Sequence, residues 1–223
     1  ANIDSSSGII RNPFDWAWLE TEQAPRGTLN LYGRRKADTL EAVVGPGWWG
    51  SSVRPQYEGE ALAGFQEISR REEVAKSAAE YADLLSVVAR LGTKLDQESQ
   101  AWLFFWIAEK LRDSGQLDQA EIAASRGREL TTDSRALRVL TLFAGEVAEQ
   151  TGAPGRAEAL LLQSIQSVQA GEELSLALAL NIFGTFYLYQ GRLGDSEFAY
   201  NKSLSLREIN APGSLDHAGS ITN

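Results

Sequence analysis

The sequence predicts an all-α fold, a solenoid of antiparallel helix pairs behind an irregular N-terminal segment. Three observations predict it. Apolar residues recur at steps of three and four from Tyr57 onward, the spacing of one buried helical face. Glycines at 115, 152 and 191 punctuate that pattern at intervals of 37 and then 39 residues. Each has a small residue seven positions before it (Ala108, Gly145, Gly184) and another five positions after it (Ala120, Ala157, Ser196). A register shared at three points marks repeated units.

Residues 1–56 show no helical period and are broken by Pro13, Pro25, Pro46 and Pro55. The lead Asp4-Ser5-Ser6-Ser7-Gly8 reads as a flexible tether. Gly27 to Tyr32 and Leu40 to Val44 read as short strands. The segment holds four of the chain's 6 tryptophans: Trp16, Trp18, Trp48 and Trp49. We read these aromatics as the cap that a solenoid's terminal repeat needs; the alternative is a ligand site in which adjacent rings stack on sugars or peptides. Gly45-Pro46-Gly47-Trp48-Trp49-Gly50 lacks the lysine of a nucleotide loop and reads as a turn.

The second region, residues 57–223, is helical. Leu62, Phe65 and Ile68, then Ala75, Ala78, Ala82, Leu85 and Val88, trace an apolar face that Arg70-Arg71-Glu72-Glu73 interrupts, so a pair of helices is expected, stopped by Gly92. Clear repeats run from 100 to 210, with helices expected near 100–114, 117–130, 134–151, 155–170, 174–190 and 194–209. Another repeat starts at Asp216 and is cut at Asn223.

Composition removes several classes of function. The 223 residues carry a net charge of −9, the wrong sign for nucleic acid or an anionic membrane surface. No apolar run is long enough for a transmembrane helix. The chain has no cysteine and one histidine, which removes thiolate and multi-histidine metal sites; no metal or cofactor is expected. The Asp216-His217 pair has no adjacent nucleophile and reads as a loop beside a helix start. A soluble placement is expected, in the cytoplasm or outside the cell, with a slight lean to export from the absent cysteine and the Ser-rich lead.

Gly184, Tyr187, Gly191, Ser196, Tyr200 and Ser203, together with the turns Gly115-Gln116-Leu117-Asp118-Gln119-Ala120 and Gly152-Ala153-Pro154-Gly155-Arg156-Ala157, resemble the tetratricopeptide repeat. Ser196 and Ser203 stand where that family favours Ala. Ala211-Pro212-Gly213-Ser214-Leu215-Asp216-His217 resembles the longer loop between repeats of the kinesin-light-chain type. The resemblance implies a non-catalytic scaffold that binds proteins or peptides along a groove lined by the first helix of each pair. It assigns groove places to Trp102, Phe105, Glu109, Arg112 and Asp113, then to Val139, Leu142, Glu146, Glu149 and Gln150, then to Leu178, Asn181, Thr185, Leu188 and Tyr189. Trp106, at the edge of the set, is expected to pack beneath a neighbouring unit. Glu109, Glu146 and Glu149 are expected at the surface, because an unpaired buried charge is expensive. They make the middle of the groove acidic and call for a partner with basic residues. The Lys-and-Asn clamp with which some family members grip a C-terminal carboxylate is absent; Asn181 alone cannot make one. Two further roles fit the sequence: the regulatory or sensor arm of a larger signalling ATPase or protease, and a carbohydrate-binding module using the N-terminal tryptophans.

Overall fold

Helix pairs closed by glycine turns account for most of the chain. The structure, a computed structural model, describes residues 2–3, 10–35, 38–47, 49, 53–75, 77–91 and 94–214. The Asp4–Gly8 lead, Trp48, Gly92, the Asp216-His217 pair and the repeat expected to start at Asp216 lie outside the described residues.

The described residues fall into two compact units, one from Arg54–Leu161 and one from Ala1–Val53 with Leu162–Asn223. In the first, α2 spans Gly59–Val74, α3 Ala78–Leu91, α4 Gln97–Asp113, α5 Leu117–Leu130 and α6 Ser134–Gln150. The division falls within α7, Pro154–Gln166. The break between α2 and α3 comes at Ala75, a turn later than the charged interruption. A capping box supplies the reason: Ser77 Oγ accepts from Glu80 N at 3.4 Å, while the Glu80 carboxylate accepts from Ser77 N at 2.9 Å.

Helix α4 starts at the cap Asp96, whose carboxylate accepts from Ser99 N at 2.9 Å, and α6 starts at Asp133, which accepts from Arg135 N and Ala136 N. The two turns that close α4 and α6 are built alike. Gly115 and Gly152 both sit at φ 76°, in the left-handed region open to glycine. Gln116 N donates to Leu111 O and Ala153 N to Ala148 O, the long backward bond that ends a helix at a glycine. Between α4 and α5 the contact face is small: Ala120, Ala123, Ala124 and Gly127 are all buried. A Cβ on Gly127 would lie 2.9 Å from Leu140 Cδ2 and 3.2 Å from Ala101 O. Leu103, Ile107 and Leu111 fill the core from α4 and are fully buried, each contributing roughly 1.5–3 kcal/mol. Gly145 meets Leu161, whose Cδ2 and Cγ would be 2.8 and 2.9 Å from an added Cβ.

In the second unit, α8 (Glu173–Tyr189) and α9 (Leu193–Asn210) form the next pair, with Gly191 at φ 71° and Arg192 N donating to Tyr187 O, the same turn again. Gly184 meets the ring of Tyr200, 2.9 Å from an added Cβ. The two serines that replace alanine are buried and satisfied: Ser196 Oγ donates to Gly184 O at 2.8 Å and Ser203 Oγ to Ala177 O at 2.7 Å. Helix α7 stops at Gln166, short of the expected 170. Ser167 Oγ and N both donate to Ser164 O, tightening the end of the helix, and Gln169 N is taken up by the Glu172 carboxylate at 3.1 Å.

The N-terminal segment belongs to this unit. A short helix α1, Pro13–Trp18, is capped by Asn12, whose side chain accepts from Phe14 N and Asp15 N. One turn and a half leaves no sequence period to detect, so the sequence alone shows this segment as irregular. A π-turn, Leu19–Gln23, follows. Its Glu22 is fully buried, and its carboxylate accepts from Leu174 N (3.3 Å), Ser175 N (2.8 Å) and Ser175 Oγ (3.0 Å) at the start of α8. Arg26 pairs with Glu22 and, at 3.0 Å, with Glu173. Strand β1 (Asn2–Ile3) pairs antiparallel with β2 (Leu29–Arg35), which pairs with β3 (Asp38–Val44) in the register Leu29 to Val44 through Arg35 to Asp38.

Candidate functional site: an acidic face on successive helices

The repeat register places Glu109 on α4 and Glu146 on α6 at equivalent positions, each one residue after the small residue of its unit. Both are half-buried, as is Glu149 three residues further on. Expected at the surface, they are instead partly removed from solvent. Burial pushes the Glu109 carboxyl above the ordinary value of 4.5; Arg112 pulls it back, Asp113 pushes it up, Lys110 pulls it down and Glu146 pushes it up. The Glu146 carboxyl is likewise raised by burial, drawn down by Arg112 and raised again by Glu149. Burial also raises Glu149, whose Oε1 is buried with no hydrogen-bond partner among the described residues.

Arg112 is already engaged. Its guanidinium lies 5.0 Å from the centroid of the Phe143 ring and pairs with Asp113 at 3.1 Å. Phe105 meets the same Phe143 edge-on at 5.5 Å. Lys110 reaches Glu72 at 3.8 Å. The acidic residues therefore outnumber the cations that face them, and those cations have other partners.

The structure brings Phe105, Glu109, Arg112 and Glu146 into one neighbourhood, with Glu149 acting on Glu146 and Leu142 half-buried on the same helix. Trp102 is placed elsewhere. It is 8% exposed and stacks on Trp106, ring centroids 6.1 Å apart and 9° from parallel, with Phe65 against both rings. Arg54 lies over Phe65 at 4.8 Å, and Tyr57 packs on Phe65 at 5.2 Å, closing an aromatic cluster. In the other unit, Asn181 is half-buried, Thr185 Oγ1 is within 2.9 Å of Tyr200 Oη and donates to Asn181 O at 3.2 Å, and Tyr189 is 74% exposed. Of the N-terminal tryptophans, Trp16 and Trp49 meet at 5.4 Å, and the Trp49 indole N–H donates to Gly45 O.

Sequence reasoning missed Phe143, the ring on which Arg112 and Phe105 converge. The signal was present: Phe143 follows Trp106 by 37 residues, the repeat interval, so it holds the corresponding place in the next unit. It also missed Glu22 and Arg26, for which no local pattern exists.

Among the described residues, no helix is long and apolar enough to cross a membrane. No protein-family model and no curated protein sequence matches the chain. Among solved structures it is similar to the crystal structure of BtubC (BKLC) from P. vanneervenii, with a TM-score of 0.52 and 11% identity, over 73% of this chain and 79% of that one. At that identity the likeness concerns the fold. The chain has a helical-repeat fold of the tetratricopeptide, kinesin-light-chain-like kind.

Proposed function

We propose that this scaffold is non-catalytic and binds a protein or peptide segment bearing Lys or Arg on the face formed by α4 and α6. The observation that carries the reading is the half-buried setting of Glu109 and Glu146 at equivalent positions of α4 and α6, with Glu146 among the negative neighbours that raise Glu109. Two carboxyls on successive helices are raised by burial and by negative neighbours, while Arg112, the cation acting on both, is held by Asp113 and Phe143. A cationic side chain from a partner relieves that repulsion on binding, and the half-buried setting strengthens the attraction relative to open solvent. Phe105 and Leu142, both half-buried, offer apolar contact beside the charges. Asn181, Thr185 and Tyr189, which lie in the other unit, carry no charge.

The test is a titration of the chain with a helical peptide that presents two lysines one turn apart beside leucine anchors. Binding is expected to weaken as salt rises. Glu109→Lys combined with Glu146→Lys is expected to abolish it with the far-UV circular dichroism unchanged. Equal affinity of the double variant and the parent sinks the reading.

A further inference from the structure

Strand β3 lies at the edge of its sheet: the strand order is β1-β2-β3, and among the described residues nothing pairs with its outer side. Residues Asp38 to Val43 are all exposed, so neither face of the strand is covered. Leu40 is 50% exposed and Val43 68%. In an antiparallel ladder alternate residues turn both N–H and C=O away from their partner strand, so β3 offers a row of donors and acceptors to whatever lies outside.

Proteins usually blunt such an edge with lysine, proline or a bulge. The sequence Asp38-Thr39-Leu40-Glu41-Ala42-Val43-Val44 contains neither lysine nor proline, and its register against β2 runs unbroken from Arg35–Asp38 to Leu29–Val44. It is a regular seven-residue edge, rich in strand-forming residues, whose only charges are negative.

A second copy of the chain is a poor occupant. Antiparallel self-pairing that uses all of β3 is centred on Glu41 and sets one Glu41 directly against the other, which is destabilising. A register centred on Leu40 or Ala42 avoids this but gives up a residue pair at each end of the ladder. The net charge of −9 on each copy adds repulsion.

We infer that the outer edge of β3 receives an extended segment of a protein partner, added as a further strand, with Lys or Arg opposite Glu41 and β-branched residues beside Leu40 and Val43. Main-chain hydrogen bonds supply the attachment, and the cross-strand pair at Glu41 sets register and selects the segment. The added strand also steadies a sheet whose first strand, Asn2–Ile3, is only 2 residues long.

The experiment uses the full chain and two blocked heptapeptides that alternate threonine and valine, one with lysine at its centre and one with glutamate. Amide hydrogen exchange is followed across residues 38–44. The lysine peptide is expected to slow alternate amides of that strand and to bind about three- to tenfold more tightly than the glutamate peptide. Glu41→Lys, an exposed substitution checked by circular dichroism, is expected to reverse the preference. Absence of protection by either peptide at millimolar concentration, equal protection by both, or protection confined to another segment overturns the inference. So does protection of the same amides that rises with protein concentration without peptide, which would assign the edge to a second copy.

Discussion

Arg112 of α4 lies over the ring of Phe143 on α6, its guanidinium carbon 5.0 Å from the ring centroid. The contact joins two successive repeats at the point where their glutamates crowd together. Replacing Arg112 by Gln removes the ring contact and the cation that tempers both acids. Stability is expected to fall by about 0.5–2 kcal/mol, read from denaturant midpoints. Binding of a lysine-bearing peptide is expected to persist or tighten, since the variant face is more negative.

The same acids set a pH dependence. Glu109 and Glu146 have raised carboxyl pKa values in the folded protein, mainly through burial. The folded state therefore holds their protons more tightly than the unfolded chain does, and their ionisation costs stability as pH rises from the ordinary 4.5 through the raised values. Below 4.5 that cost is absent. Glu109→Gln is expected to stabilise the protein at pH 7 relative to the parent, with the difference shrinking on acidification. Capture of a basic peptide runs the other way: it needs the ionised acids and is expected to decline as pH falls through the raised range, earlier than ordinary carboxylates predict. Parallel melts and titrations across that range check both signs.

Gly184 faces the Tyr200 ring with no room for a side chain. Gly184→Leu is expected to lose about 1–3 kcal/mol by overpacking the α8–α9 pair. An unchanged melting temperature would show that the repeat register drawn through Ala108, Gly145 and Gly184 is wrong.

Glu22 is buried against the first turn of α8. Glu22→Ala leaves the Leu174 and Ser175 amides without an acceptor and strands one side of Arg26. A loss of about 2–4 kcal/mol is expected, since hydrogen bonds to charged groups are among the stronger ones and their removal leaves buried donors unsatisfied. Faster amide exchange at Leu174 and Ser175 would locate the effect, and Glu22→Gln is expected to recover part of it.

The helices and their turns were legible in the sequence because their causes are local. A glycine that must take positive φ, a small residue where two helices touch and an aspartate at a helix start all act within a few positions of themselves. The equivalent repeat positions of Glu109 and Glu146, each one residue after a small residue, were legible for the same reason. Their half-burial was not, because burial depends on tertiary packing that no local spacing records. Trp102 follows the helical period that marks groove residues, yet its neighbour proves to be Phe65 of a distant helix, and the two tryptophans stack instead of opening outward. Glu22 and Ser175 are 153 positions apart, and nothing in either local pattern announces the other.

That separation bears on the order in which the chain acquires its structure. The unit that contains Glu22 is split in sequence, with Arg54–Leu161 inserted between its two parts. A ribosome adding about 5–20 residues per second delivers Ser175 many seconds after Glu22. Throughout that interval the inserted unit has its whole sequence in one continuous run and can fold as it emerges, while the N-terminal tryptophans and the Glu22 carboxylate wait for their partner helix. Closing so long a loop slows folding. The stage of synthesis at which this chain most needs protection from aggregation is thus the one between the emergence of Phe14 and the completion of α8.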